Sequence, residues 1–512
     1  MNRWFVLGAF FILAFGNPGA ANAAGRADHV VVIVWDGMRP DFVSAINTPT
    51  LWKMAQEGVV FQNHHAVYPS ATNINGTAIA TGVYPQRSGL IGNREYRPEI
   101  DPKNAIASED PDAVRKADQL THGKYLAAPT IAELIQQSGR VTVIAGAKDN
   151  VLLLDRQRER ETEAAKKSAN LYRKSAASVA GAGSLGSFPP PVTPNEKQDE
   201  WATKGLTEVL WRNGIPAFSL LWLGDPDLSQ HAHAPGSPIA LQAIRNSDRA
   251  LGTVLGALEK TGVRDKTDVF VVSDHGFSTV EVAVDLRDLL KTAGFHAAAE
   301  FGDNPVAGDI MIVPNGGTEF FYVEGHDAEV TRKLVEWLQQ SDFAGVIFSR
   351  TKLAGTFPLD AAAIATKDAP DVVMAFRWKE AKNQFGTPGM IAADWQRMAG
   401  AGTHATLSRF DMHNTLIIAG PDFRRGTVDD LPTGNVDLAP TILEILEIKA
   451  PPMDGRVLAE AMIDRPAAEK SRTETLEASR EFPHASWRQY LKISRVGQTI
   501  YFDEGNGALT PK

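Results

Sequence analysis

Carboxylate and imidazole side chains occur along this sequence at spacings that could hold metal ions. Asp227 and His231 are four residues apart, so one helical turn would direct both side chains to the same point. Asp274 and His275 are adjacent, at the end of an apolar run where a loop can turn both inward. The complete set of candidate ligands is Asp36, Asp227, His231, Asp274, His275 and His404. Oxygen and nitrogen ligands without sulfur suit Zn²⁺, with Mn²⁺ or Fe as alternatives.

Each of these short motifs alone is more often a surface turn or a hydrogen-bonded pair than a metal site. Four further histidines have simpler interpretations: His64 and His65 as packing or ligand-supporting groups, His233 as a group that lines the pocket, and His413 as a hydrogen-bonding group near a strand start. The prediction of a metal centre therefore depends on the whole ligand set.

Thr72 is the candidate nucleophile. It lies in residues 68–92, where the pattern of residues 75–80 predicts a helix that ends at Gly82. The prediction places Thr72 at the N-cap of that helix, where free N–H groups and the helix dipole favour an anion. A purely capping hydroxyl is the alternative interpretation, and the ligands upstream and downstream favour the catalytic one.

Short apolar runs precede most of the candidate ligands. Residues 29–35 (HVVVIVW) stop at Asp36, residues 217–223 precede Asp227, and residues 267–273 precede Asp274. Two similar runs cover residues 141–146 and 414–420. Continuous apolar runs indicate strands that are covered on both faces.

Helical patterns alternate with these runs. Thr48 and Pro49 are typical of a helix start and Gly58 of its end; further helices are predicted over residues 132–137, 241–258 and 330–338. The alternation predicts an α/β fold with a doubly wound, mainly parallel sheet and helices on both faces. Ligands of such sheets bind outside the carboxyl ends of the strands, where the candidate residues lie.

Composition excludes several classes of protein. The 512 residues carry a formal charge of −9, which argues against a nucleic-acid scaffold. The chain contains 0 cysteines, so a thiol nucleophile and a zinc–thiolate site are excluded.

The N-terminus has the pattern of a secretory signal peptide. Arg3 precedes an apolar run over residues 4–15, and small residues surround a cleavage point after Ala23. An uncleaved anchor is the alternative, but the run is short against the roughly 20 residues that a membrane span needs. We therefore predict a periplasmic or secreted protein with no membrane span in the mature chain.

Six ordered motifs resemble the alkaline phosphatase superfamily, specifically its nucleotide pyrophosphatase/phosphodiesterase group and the related phosphonoacetate hydrolase. They are VVVIVWDGMRPD, PSATNINGTAIATGVYP, GLIGN, DPDLSQHAHAPGS, VVSDHGFS and GTHATLSRFDMHNTLIIAGPDFRRG, and PTILEIL and PPMDGRVL continue the resemblance. The resemblance implies an alkaline-phosphatase-like fold and two divalent metal ions.

The resemblance also implies a role for each residue. One metal would be bound by Asp227, His231 and His404, and the other by Asp36, Asp274, His275 and the Thr72 oxygen. Thr72 would attack phosphorus and form a phosphothreonine. Asn93 of GLIGN would steady a non-bridging phosphoryl oxygen, assisted by the backbone N–H of Asn73.

Lys148 is a candidate substrate-binding residue. Its segment AGAKDNVLLL resembles the AKDK segment of phosphonoacetate hydrolase, whose two lysines bind substrate, but the second position here is Asn150. Lys148 would contact a phosphate or carboxylate, or only pair with Asp149. Because Asn150 stands where that segment has its second lysine, the sequence argues against phosphonoacetate as the substrate.

The predicted domains follow from these patterns. The catalytic domain comprises residues 24–285 and 366–464, with a flexible excursion over residues 157–198 that is rich in Gly, Ser and Pro. Residues 286–365 are predicted as a smaller inserted α+β cap subdomain. Residues 465–512 are predicted as a polar C-terminal tail with a strand over residues 498–502.

The predicted function is hydrolysis of a small phosphoester or nucleotide substrate, as a phosphodiesterase or nucleotide pyrophosphatase. The alternatives are a phosphomonoesterase or phosphonate hydrolase and, in a different class, an inactive exported metal-binding protein.

Overall fold

A computed structural model of the chain describes residues 26–156, 162–465 and 470–512. The predicted signal peptide over residues 1–23 lies outside the described residues. Within them, no helix combines the length and the apolar character that a membrane span requires.

An eight-stranded sheet forms the centre of the molecule. Its strands, in spatial order, are Thr427–Asp429, Val59–Phe61, Leu416–Ala419, Thr267–Val272, His29–Trp35, Phe218–Leu223, Thr142–Gly146 and Ala169–Leu171. Leu416–Ala419 runs antiparallel to both of its neighbours, and the other pairings in this sheet are parallel. The predicted mainly parallel sheet is confirmed.

Helices cover both faces of this sheet. Along His29–Trp35, Val32 points into a core that it shares with Ile79 and Ile135 from two helices. The next residue, Ile33, points into the opposite core with Leu51 from a third helix. Successive side chains of a strand face opposite ways, so an uninterrupted apolar run is required when both faces are covered.

The helix boundaries follow local sequence signals. Pro49–Glu57 begins after Thr48 and ends at Gly58, as predicted. The helices of seven or more residues are Pro49–Glu57, Thr72–Thr81, Pro111–Thr121, Ile131–Gln137, Glu196–Lys204, Asp227–His233, Pro238–Lys260, Leu286–Thr292, Ala328–Gln339 and Leu438–Ile445.

Two further sheets lie beside the carboxyl edge of the central sheet. A six-stranded sheet contains Ala297–Ala298, Ile310–Pro314, Thr318–Val323, Val372–Phe376, Ala344–Ser349 and Phe357–Pro358. A four-stranded sheet contains Trp378–Lys382, Pro388–Asp394, Ser278–Val284 and Gly402–Thr403. Phe320 of the six-stranded sheet shares a core with Ile74 of the helix Thr72–Thr81, so this sheet supports that helix.

The C-terminal region forms a three-stranded antiparallel sheet of Arg472–Glu481, Ala485–Val496 and Thr499–Pro511. The sequence predicts a polar tail with only one strand here, over residues 498–502. Leu491, Ile493 and Phe502 are buried in the core that also contains Ile74, because apolar residues alternate with polar ones along these strands.

Candidate active site

Four neighbouring parallel strands end at the same edge of the central sheet. Asp36 directly follows His29–Trp35, and Asp274 lies two residues beyond Thr267–Val272. Lys148 lies two residues beyond Thr142–Gly146. Asp227 lies four residues beyond Phe218–Leu223, where it opens the helix Asp227–His233. Strand order therefore brings together groups that are far apart in the sequence.

The side chain of Thr72 is buried at the start of the helix Thr72–Thr81. The prediction that Thr72 is the N-cap was wrong by one residue. Ala71 has the extended backbone of the cap, and Thr72 already has helical geometry. The Thr72 hydroxyl is therefore not used for capping, and its Oγ1 lies 3.3 Å from Nε2 of His275.

Backbone carbonyls orient the imidazole rings. Nδ1 of His404 lies 2.8 Å from the carbonyl oxygen of Ser70, and Nδ1 of His231 lies 3.0 Å from that of Gly402. A carbonyl can only accept, so Nδ1 of each neutral ring carries the proton and Nε2 keeps its lone pair. His275 has the same arrangement, with Nδ1 2.9 Å from the carbonyl oxygen of Gly276.

Those lone pairs converge on the carboxylates. Oδ1 of Asp227 lies 3.3 Å from Nε2 of His231 and 3.4 Å from Nε2 of His404. Nε2 of His275 lies 3.5 Å from Oδ1 of Asp36 and 3.3 Å from Oδ2 of Asp274. The structure thus brings all six sequence-predicted ligands and Thr72 to one place.

The donor set fits divalent cations. Three carboxylate oxygens are buried without a hydrogen-bond partner: Oδ1 of Asp36, Oδ1 of Asp227 and Oδ2 of Asp274. Leaving a buried anionic oxygen unpaired is costly, whereas metal ligation satisfies it. Two groups of residues at this site have ligand atoms within 4.8 Å of one another: Asp227, His275 and His404, and Asp36, Asp274 and His275.

Burial and neighbouring charges shift the pKa values of the three aspartates of the site in different directions. Burial, with Asp274 nearby, raises the pKa of Asp36, and burial raises the pKa of Asp274 to about 7. Burial also acts to raise the pKa of Asp227, but Lys148 and His231 outweigh it and hold that pKa below its usual range. Burial lowers the pKa of His404, which keeps its imidazole neutral and able to bind a cation.

The ammonium of Lys148 bridges both carboxylate groups. Its Nζ lies 2.8 Å from Oδ2 of Asp36 and 3.0 Å from Oδ2 of Asp227. The predicted alternative, a pair with the adjacent Asp149, is not found, because Asp149 pairs with Arg173 and Lys174. Lys148 therefore supplies positive charge at the centre of the site.

Asn93 and Asn73 contact each other at the rim of the site. The backbone N–H of Asn73 donates to Oδ1 of Asn93 at 2.9 Å. This contact directs the amide oxygen of Asn93 toward the helix and leaves its NH₂ group as a donor. The side chain of Asn73 donates to Oγ of Ser108 and to Oε2 of Glu109.

Sequence reasoning missed the role of Trp222. Its indole Nε1 donates to Oδ2 of Asp36 at 2.8 Å, from the strand adjacent to His29–Trp35. A buried tryptophan needs an acceptor for its N–H, which is the one signal that could have indicated this contact.

Comparison with known proteins identifies relatives of the chain. Residues 30–379 match the family described as type I phosphodiesterase / nucleotide pyrophosphatase. Ectonucleotide pyrophosphatase/phosphodiesterase family member 1 of Mus musculus is 24% identical over 244 residues, which are 47% of this chain and 23% of that protein. Family member 7 of Homo sapiens is 22% identical over 287 residues, 56% of each protein. The chain thus spans only part of the length of these relatives.

Solved structures show the same fold. Murine ectonucleotide pyrophosphatase / phosphodiesterase 5, as an inactive threonine-to-alanine variant in complex with AMP, superposes with a TM-score of 0.59 at 17% identity. That match covers 85% of this chain and 100% of the other. The human counterpart gives a TM-score of 0.57 over 83% of this chain and 97% of its own.

Proposed function

The chain belongs to the type I phosphodiesterase / nucleotide pyrophosphatase family, and from that premise we propose that it hydrolyses phosphodiester or nucleotide pyrophosphate bonds through a phosphothreonine on Thr72. The observation that carries the proposal is the convergence of three buried, unpartnered carboxylate oxygens with neutral imidazoles beside the Thr72 hydroxyl. The proposal includes export, with cleavage after Ala23.

The proposed ligand sets follow the resemblance. Asp227, His231 and His404 would hold one divalent cation, and Asp36, Asp274, His275 and Thr72 the other, with Zn²⁺ as the preferred ion. Such cations, when bound, lower the pKa of the threonine hydroxyl and offset the negative charge on the phosphoryl oxygens. An inactive threonine-to-alanine variant of the murine relative supports a threonine in this role.

The bond changes balance without a further reactant. Thr72 Oγ1 loses its proton and forms a bond to phosphorus, while the bond from phosphorus to the leaving oxygen breaks and that oxygen takes a proton. Water then attacks the same phosphorus, the Oγ1–phosphorus bond breaks, and Thr72 regains its proton. The products are a phosphomonoester and the alcohol or phosphate that left.

The protein's own groups position the substrate. The Asn93 amide NH₂ donates to a non-bridging phosphoryl oxygen, and the N–H of Asn73 contributes by holding that amide in orientation. Lys148, whose Nζ lies between Asp36 and Asp227, would contact an anionic substrate oxygen from the centre of the site.

A substrate panel tests the proposal. Metal-replete protein is assayed with bis(p-nitrophenyl) phosphate, p-nitrophenyl phosphate and phosphonoacetate, and kcat/KM is compared. We expect the diester to give the highest value. A higher value for either of the other compounds would favour the monoesterase or phosphonate hydrolase, and no turnover of any of them would favour the inactive metal-binding protein.

A further inference from the structure

A second cluster of potential ligands joins three distant segments. His65 lies in the strand His64–His65, His413 follows the helix Arg409–Met412, and Asp503 lies in the strand Thr499–Pro511. One ligand atom from each residue lies within 4.8 Å of the others. His65 and Asp503 are buried, and the His65 and His413 ring centroids are 4.4 Å apart.

The proton on His65 is fixed by its backbone contact. Nδ1 of His65 lies 2.9 Å from the carbonyl oxygen of Thr433, which can only accept. The neutral ring therefore carries its proton on Nδ1 and keeps a lone pair on Nε2. Nε2 lies 3.0 Å from Oδ1 of Asp503, so two acceptor atoms face each other.

The contact between His65 and Asp503 does not have hydrogen-bond geometry. The side chain of His65 is only 1% exposed, and its Nε2 has no hydrogen-bond partner although it lies 3.0 Å from Oδ1 of Asp503. The other carboxylate oxygen of Asp503 is held by Oγ of Ser494 at 2.9 Å, which fixes the carboxylate. A cation between the two atoms would satisfy both.

The third group also has the form that binds a metal. Burial, followed by the nearby His65, lowers the pKa of His413 well below its usual value and keeps the imidazole neutral. Imidazole and carboxylate groups are ligands that Zn²⁺ takes in proteins, and a water molecule would complete a tetrahedral site here. Bonds of about 2 Å bring such ligand atoms close together, so closure around the ion requires only a small movement.

We propose that His65, His413 and Asp503 bind a divalent cation of the Zn²⁺ type, separate from the catalytic ions, that ties the C-terminal sheet to the catalytic part of the molecule. The cation links the strand Thr499–Pro511 to the strand His64–His65 and to the loop after Arg409–Met412. The site has a structural role and takes no part in the reaction.

Zinc content tests this site independently of the catalytic one. The full chain is loaded with Zn²⁺, excess ion is removed, and zinc per chain is measured by mass spectrometry for the wild type, Asp503→Asn and His413→Gln. We expect each variant to hold one zinc fewer than the wild type. The wild type holds three if the proposed catalytic pair is correct and one if it is not, and the loss of one is the same in both cases.

Glu504→Gln is the matched control, because Glu504 neighbours Asp503 and its side chain accepts a hydrogen bond from the hydroxyl of Tyr490 in the same sheet. It should retain the wild-type zinc content. Equal zinc content in all of these folded proteins would overturn the proposal. Should the variants fail to fold, wild-type crystals measured at the zinc absorption edge decide the question. An anomalous peak between the three side chains supports the site, and its absence overturns it.

Discussion

Asp36, Asp227 and Asp274 show how individual residues determine the chemistry of the site. Each is buried, and each leaves one oxygen unpartnered while its other oxygen accepts a hydrogen bond, from Trp222, Lys148 or Gly37. The bonded oxygen fixes the orientation of the carboxylate and the free one faces the imidazoles. This division is what a metal centre requires, since orienting contacts hold its ligands in place.

Thr72→Ala should abolish turnover and leave zinc content close to that of the wild type. The substitution removes the nucleophilic oxygen but none of the six carboxylate and imidazole ligands, so kcat should fall by at least about 10³-fold. Steady-state kinetics and metal analysis of the same preparation check both expectations.

Thr81→Ala is a suitable control for that variant. Thr81 is buried in the same helix, and its hydroxyl donates to the carbonyl of Thr77. It should retain kcat with a small loss of stability. Undiminished turnover of Thr72→Ala would show that the nucleophile is another group.

Lys148→Met should lower kcat/KM by about 10- to 100-fold, mostly through a higher KM, since a hydrogen bond to a charged group contributes about 1.5–3 kcal/mol. Zinc content should remain near that of the wild type. Lys166→Met serves as the control, because Lys166 is exposed and pairs with Glu163. Unchanged kinetics with a lower zinc content would instead assign Lys148 to the support of the ligands.

The residue types of the site could be read from the sequence, but their mutual contacts could not. Asp36 and Asp274 follow apolar runs, which predicted their place at strand ends. Lys148 contacts two carboxylates because its strand lies close to theirs in the central sheet. Local sequence does not determine the spatial order of the strands. The clustering of His65 and His413 with Asp503 was likewise hidden, because Asp503 reaches them only through the fold of the C-terminal sheet.

At the scale of elements, the turn after His29–Trp35 positions two of the acids. Gly37 has a φ of 73°, and its N–H donates to Oδ1 of Asp274 at 3.0 Å while Asp36 precedes it. Left-handed geometry favours glycine, so the chain can reverse direction directly at the strand end.

Gly37→Ala should lower both stability and kcat/KM. A Cβ there would lie 2.9 Å from Cδ2 of Phe277 and 3.1 Å from Cβ of Asp227, in a left-handed conformation that costs about 1–2 kcal/mol. Gly256→Ala is the control, since Gly256 lies in the helix Pro238–Lys260 with nothing within 4 Å, and should gain about 0.5–1 kcal/mol. Thermal unfolding and kinetics of both variants provide the test, and a fully active, equally stable Gly37→Ala would contradict it.

Element boundaries were predicted well where a local signal marks them. Thr48, Pro49 and Gly58 bound their helix as expected, and the run of residues 29–35 is the observed strand. The start of Thr72–Thr81 was misplaced by one residue, because the N-cap is Ala71, whose side chain cannot form a capping hydrogen bond. The C-terminal strands were missed in part, since their one-sided burial against a distant core leaves a weak alternating pattern.

At the scale of the whole molecule, we expect the buried negative charge of the site to make stability depend on bound cations. Asp36, Asp227 and Asp274 lie close together, and within the described residues Lys148 is the ammonium that contacts them. An ion that binds only the folded state contributes about 4 kcal/mol when its free concentration is 1,000 times its Kd. Zinc should therefore raise the unfolding temperature in a concentration-dependent way, and a chelator should lower it.

Comparison of Asp274→Asn with the wild type separates stabilisation by zinc at the candidate active site from stabilisation by zinc at His65, His413 and Asp503. Burial raises the pKa of Asp274 to about 7 in the folded protein, above its value in the unfolded chain. The free energy of unfolding of the metal-free protein therefore falls as pH rises from the unfolded-state pKa to the folded-state pKa. An amide mimics the protonated acid and can keep the contact with the N–H of Gly37. At pH 8 with chelator, Asp274→Asn should therefore unfold at a higher temperature than the wild type, whereas its gain on adding zinc should be smaller. The cluster of His65, His413 and Asp503 is common to both proteins and cancels from the comparison, so an equal gain in both would mean that Asp274 binds no ion.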